Sequence, residues 1–184
     1  MIVTVKVALR LALLIFLAAI LQVSFFSQIT LLGAAPEVMP VVIVSIALLG
    51  GAVLGASCGF AAGLLLDVLM LQTLGVSSLV LLTTGWLAGR FRESFEISSA
   101  LTPVVLAGAL TLLAASIFTA LQLMLGVEAP VSLLVIREIV VKALLGLLLA
   151  VPIYPAVRRL LRVALIEDTP RRRALGITTP LRAA

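Results

Sequence analysis

The chain has 184 residues, of which 63% are hydrophobic and only 11% are charged. Soluble domains are about 45–50% apolar and about 25% charged, so this composition excludes a water-soluble globular protein and indicates a protein of the lipid bilayer. The absence of His and the single Cys, Cys58, exclude a disulfide within the chain, a Cys/His zinc site, a His-dependent catalytic triad and a His-ligated haem. The net charge of +5 is explained by basic clusters at membrane edges, without nucleic-acid binding.

Six apolar segments follow one another along the chain, and we predict that each forms a transmembrane helix. The first is too long for the apolar region of a signal peptide, so we interpret it as a retained helix. As one helix, residues 36–71 would measure about 54 Å against a hydrocarbon core of about 30 Å, so we expect two helices that break at Gly50-Gly51. The predicted helices cover residues 7–26, 38–49, 53–71, 76–88, 101–125 and 133–157.

Basic residues cluster at alternate segment ends, which predicts the orientation of the chain in the membrane. Six helices with a cytoplasmic N-terminus place all of these clusters on the cytoplasmic side, as the positive-inside rule requires. We therefore predict a membrane domain over residues 1–163, followed by a basic, mostly disordered cytoplasmic tail over residues 164–184. The clusters are Lys6 with Arg10, Arg90 with Arg92, and Arg158 with Arg159 and Arg162.

A ladder of glycines at four-residue spacing marks the third predicted helix. Small residues at this spacing let another helix approach to backbone contact, which is a common mode of close helix packing in membranes. The same spacing recurs at Gly85 and Gly89 in the fourth helix, which favours packing within one subunit over docking of a partner's transmembrane helix. With Gly51 in the turn, the predicted contact surface consists of Gly55, Gly59 and Gly63.

A cluster of charged residues falls within or beside the apolar segments, near the external leaflet in this topology. A charge in hydrocarbon needs a partner or a water-lined cavity. Asp67 is the only charge between residues 38 and 71, and we predict that it pairs with Lys142, the deeper cation, or with Arg137. The alternative is an outward-facing polar pocket or a docking site for a partner. The predicted cluster consists of Glu37, Asp67, Arg137, Glu138 and Lys142.

The acidic residues are scattered along the chain and are not paired for acid–base chemistry, so we expect no catalytic site, metal or cofactor. Several short motifs, which include glycines and acidic residues, follow one another along the chain in the order found in a known family. The chain resembles the bacterial rod shape-determining MreD family over roughly residues 10–160, most specifically in the Gly-Phe-x-x-Gly-Leu-x-x-Asp pattern of residues 59–67. The other matching stretches are Leu21-Gln22-Val23-Ser24, Pro36-Glu37, Gly75 and Gly85-Trp86-Leu87-Ala88-Gly89-Arg90.

The resemblance implies a non-enzymatic component of the cell-elongation machinery in the bacterial inner membrane. Members of this family partner the single-span protein MreC and, through it, the peptidoglycan synthase pair of the rod complex and the MreB filaments. The resemblance also implies a six-helix fold similar to the S components of energy-coupling-factor transporters. The alternative function is therefore that of a substrate-binding membrane subunit in the uptake of a small, vitamin-type molecule.

Overall fold

A computed structural model describes residues 5–25, 36–94, 102–126 and 133–166. Within these ranges the chain is all α-helical, with six helices and no strand, which confirms the predicted number of helices. Helices α1, α3, α5 and α6 are long and apolar enough to cross a membrane. The helices are α1 Val5–Ser24, α2 Val38–Gly50, α3 Ala52–Leu69, α4 Val76–Ser94, α5 Thr102–Met124 and α6 Leu133–Ile166.

Helix α2 lies at the centre of the bundle and contacts each of the other five helices. Its 13 residues span about 20 Å, which is less than the hydrocarbon core of about 30 Å. Every residue from Val38 to Leu48 is buried. A helix that is apolar on all sides is one that is enclosed on all sides. The short α2 is therefore the core of the protein, surrounded by longer helices that face lipid.

The break between α2 and α3 falls at Gly51, as the Gly50-Gly51 pair predicts. Gly51 has a φ of 95°, a conformation that a side chain makes costly. Its N–H still donates to the carbonyl of Ala47 at 2.8 Å, so the last turn of α2 is completed before the chain reverses. One glycine thus ends one helix and starts the next without a loop.

Helix α6 is longer than predicted. Pro152 and Pro155 lie inside it, and the helix continues past residue 157 to Ile166. A proline removes one backbone hydrogen bond, but neighbouring helices can compensate for this loss inside a membrane. The helix therefore extends three residues into the predicted tail, and the rest of that tail, residues 167–184, lies outside the described residues.

The helices place charges at two opposite ends of the bundle. At the basic end, Arg10 of α1 and Leu160 of α6 line one crevice, and Arg92 of α4 reaches the turn between α2 and α3. At the other end, which we call the acidic end, Glu37 precedes α2 and Asp67 lies in the last turn of α3. The acidic end therefore contains charged residues of the candidate site.

Candidate functional site

The glycine ladder of α3 lies directly on α4, and the two helices form an antiparallel hairpin. A methyl group added to Gly55, Gly59 or Gly63 would collide with α4 backbone atoms, at Gly85, Leu81 and Ser78 respectively. The structure therefore places all three predicted contact residues inside the subunit. Because α4 covers this face, no helix of a partner can use it.

The Asp67 side chain caps the start of α4. It is 1% exposed, and its carboxylate accepts hydrogen bonds from the Gly75 N–H at 2.7 Å and the Ser77 N–H at 3.3 Å. The Ser78 hydroxyl donates to the same carboxylate at 3.5 Å. The first N–H groups of a helix lack partners within the helix and carry partial positive charge, so an anion placed there is stabilised.

The backbone of Asp67 also helps to end α3. Its carbonyl accepts from the Gln72 N–H at 3.1 Å, while the Leu71 N–H donates to Val68 at 3.4 Å. This pair of bonds is the Schellman pattern, in which the residue after the cap takes a left-handed conformation. Leu71 does so, with a φ of 52°. Asp67 thus helps to end α3 with its backbone carbonyl and to start α4 with its side-chain carboxylate.

The predicted pair of Asp67 with Lys142 or Arg137 is wrong. Lys142 lies beside Glu37 instead, with its Nζ 2.8 Å from Glu37 Oε1. The physical reason is local: the turn offers Asp67 backbone N–H donors within ten residues, while α6 reaches the bundle core next to the start of α2. Arg137 is exposed, and the side chain of Glu138 lies outside the described residues.

The Glu37–Lys142 pair is partly buried between α2 and α6. The exposed fractions of the two side chains are 30% for Glu37 and 16% for Lys142. Among the described members of the predicted charged cluster, Glu37, Asp67 and Lys142 therefore fall into two separate units at the acidic end. One unit is the ion pair, and the other is the Asp67 cap.

Sequence reasoning missed the structural role of Gln22, which joins α1 to the start of α2. Its amide NH₂ donates to the Pro36 carbonyl at 3.2 Å, and its amide oxygen accepts from the Val38 N–H at 2.6 Å. The side chain is buried. The available signal was an amide in an otherwise apolar segment, because a buried amide is costly unless its hydrogen bonds are made.

At the basic end, α4 runs six residues beyond its predicted end and holds the α2–α3 turn. The Arg92 guanidinium donates to the Leu49 carbonyl, and Glu93 Oε1 accepts from the Ala52 N–H at 3.0 Å. A cation therefore meets the C-terminus of α2, and an anion meets the N-terminus of α3, each matching the helix dipole. The sequence pattern had identified Arg92 only as a marker of topology.

A cavity of about 200 Å³ opens at the acidic end. Its wall carries both members of the Glu37–Lys142 pair, together with apolar side chains such as Met39, Met70 and Phe118. Neither here nor elsewhere in the described ranges do three His, Cys, Asp or Glu side chains come close enough to hold a metal ion. The arrangement can bind a small polar group beside an apolar one.

Comparison with known proteins identifies the family. The family model described as rod shape-determining protein MreD matches residues 4–164, which includes α1 through α5 and nearly all of α6. Neither a curated protein nor a solved structure matches the chain. The match covers most of the chain, and the long apolar helices agree with a multi-pass membrane protein of this kind. The chain therefore belongs to the rod shape-determining protein MreD family.

Proposed function

We propose that this protein is a non-catalytic scaffold of the cell-elongation complex in the bacterial inner membrane. It binds an MreC-like single-span protein and, through it, supports the peptidoglycan synthase pair and the MreB filaments. The observation that carries the proposal is the family match over residues 4–164, since shape determination is the role of that family.

The internal packing supports a scaffold role. Among the described residues, no buried polar side-chain atom lacks a hydrogen-bond partner, so the polar groups of the core hold the bundle together. The glycine face is covered by α4. A partner's helix therefore docks on the outer surface, where large apolar side chains such as Leu13 of α1 and Phe60 of α3 are exposed.

The test combines cell shape with purification of the complex. In a rod-shaped bacterium, deletion of the gene for its MreD-family protein should produce round cells, and the affinity-tagged chain should restore rods. Purified in mild detergent from those cells, the tagged chain should bring down a single-span MreC-like protein, identified by mass spectrometry. Normal rods after deletion, together with lost uptake of a vitamin, would contradict the scaffold and support the uptake subunit.

A further inference from the structure

The cavity at the acidic end is lined by residues of all six helices. Its wall includes Gln22 of α1, Pro40 of α2, Leu66 of α3, Val80 of α4 and Phe118 of α5, and Lys142 adds α6 as the sixth contributor. A space at which every helix converges is a better ligand site than a surface crevice, because the surrounding bundle holds its shape. Sites for small molecules are usually concave and mostly apolar, with a few polar groups that fix orientation.

The ion pair in the wall is weak evidence for a purely structural role. Partly buried pairs lose much of their attraction to the cost of desolvation, and apolar residues of similar size often stabilise a protein equally well. Ionisable groups at membrane depth are by default candidates for function. The position of Glu37 and Lys142 on a cavity wall supplies the reason for charges at this point.

We propose that this cavity binds a small zwitterion that carries an ammonium group, a nearby anionic group and a compact apolar part. Among the described residues that line the cavity, Glu37 carries a negative charge and Lys142 a positive charge, 2.8 Å apart. A ligand with a single charge is therefore attracted by one of them and repelled by the other. A zwitterion places its ammonium at Glu37, which accepts hydrogen bonds, and its anion at Lys142, which donates them. Met39, Met70 and Phe118 provide adaptable apolar contacts for the remaining part.

The volume limits the ligand to a small molecule or a head group. An apolar cavity of about 150 Å³ holds benzene, which has six non-hydrogen atoms, so a cavity of about 200 Å³ holds about eight, and its open side leaves room for a few more. Free amino acids with apolar side chains meet this limit, and so does the head group of phosphatidylethanolamine with its acyl chains outside. Both sources share the same chemistry, and the binding is independent of the proposed scaffold function.

The first test compares ligands on the wild-type protein and needs no variant. The full chain is placed in nanodiscs of phosphatidylcholine, whose quaternary ammonium has no N–H to donate. L-leucine, leucinamide and 4-methylpentanoate, which are zwitterion, cation and anion, are titrated by calorimetry. If the ligand is a free amino acid, L-leucine, L-methionine or L-phenylalanine should show saturable binding, and the single-charge analogues should bind at least tenfold more weakly.

The lipid arm uses nanodiscs with equal amounts of phosphatidylethanolamine and phosphatidylcholine, and native mass spectrometry of the released protein. Preferential retention of phosphatidylethanolamine by at least threefold assigns the site to the lipid head group. Absence of zwitterion binding at millimolar concentration, combined with no lipid preference, would overturn the proposal. Single-charge analogues that bind as tightly as the zwitterion would also overturn it.

Variants then locate the binding. The double variant Glu37→Gln/Lys142→Gln removes both charges together, so neither is left stranded, and should weaken the observed binding at least tenfold. Arg137→Gln is the matched control, because it removes an exposed cation from the same helix and should leave binding unchanged. Circular dichroism and size-exclusion chromatography check that both variants fold. Unchanged binding in a folded double variant would place the ligand elsewhere and refute the assignment.

Discussion

Asp67 shows how the surroundings of a single residue decide the role of an intramembrane charge. Its carboxylate caps α4 by accepting from the backbone of Gly75 and Ser77 and from the Ser78 hydroxyl. An acid in this position stabilises the protein through hydrogen bonds to backbone dipoles. It therefore needs no cation as a partner.

Asp67→Ala should lower the free energy of unfolding by about 1–3 kcal/mol, because it leaves partly buried N–H groups at the start of α4 without acceptors. Reversible unfolding in mixed detergent micelles measures this loss. A substitution that leaves stability unchanged would show that water or another group replaces the carboxylate without cost.

A double-mutant cycle tests whether Asp67 acts independently of the Glu37–Lys142 ion pair. Losses from Asp67→Ala and Lys142→Ala should add within about 0.5 kcal/mol, because the two side chains share no partner among the interactions described above. Glu37→Ala and Lys142→Ala should not add, since each breaks the same contact. Strong coupling between Asp67 and Lys142 would restore the pair that the sequence pattern predicts.

At the scale of elements, the α3–α4 hairpin is the tightest unit of the fold. Its register is antiparallel, with Gly55 opposite Gly85 and Gly63 opposite Ser78. Because Gly55, Gly59 and Gly63 of α3 have no side chains, the two backbones touch. This contact increases dispersion interactions where lipid provides no hydrophobic driving force between helices. The Asp67 cap at one end and the Glu93 cap at the other then hold this hairpin in register.

Gly59→Leu should prevent correct packing of the hairpin, because its side chain would occupy the space of the Leu81 backbone. Overpacking costs about 1–3 kcal/mol or more even where side chains can move, and backbone moves less easily. Yield of monodisperse protein and the Tm in detergent measure the effect. Ala61→Leu is the matched control on the exposed face of the same helix and should behave as wild type. Equal Tm values for both variants would show that α3 and α4 do not pack as described.

At the scale of the whole molecule, most of the described basic residues gather at one end of the bundle, with Arg137 and Lys142 of α6 as the exceptions. Arg10 lies near the last turns of α6, and Arg92 lies at the α2–α3 turn, so separate stretches of sequence contribute to one charged end. The positive-inside rule then predicts that the bundle is oriented as a unit, with the basic end in the cytoplasm. The acidic end, with its cavity, would consequently face the outside of the membrane.

Reporter fusions test this orientation. Fusions after Ser94 should report a cytoplasmic position, and fusions after Ala34 and Gly126 should report an external one. The physical reason is that loops rich in Lys and Arg are retained on the cytoplasmic side during insertion. External accessibility of the Ser94 fusion would invert the molecule and place the cavity on the cytoplasmic side.

The sequence by itself determined that the chain is a membrane protein of six helices, because apolar runs and glycine breaks act through neighbouring residues. Gly50-Gly51 predicted the α2–α3 turn, since a positive φ is a local requirement. The spacing of Gly55, Gly59 and Gly63 predicted a close helix contact for the same kind of reason, although it left open which helix makes the contact.

Only the tertiary structure decided which polar groups meet. Hydrogen-bond partners depend on where helices end and how they are arranged around α2, and neither is encoded in the periodicity of one segment. The pattern therefore assigned Asp67 to a cation, whereas the turn supplied nearer backbone donors. Lys142 met Glu37 because α6 lies beside the start of α2, over a hundred residues away along the chain. The cavity beside this pair exists only because all six helices converge there.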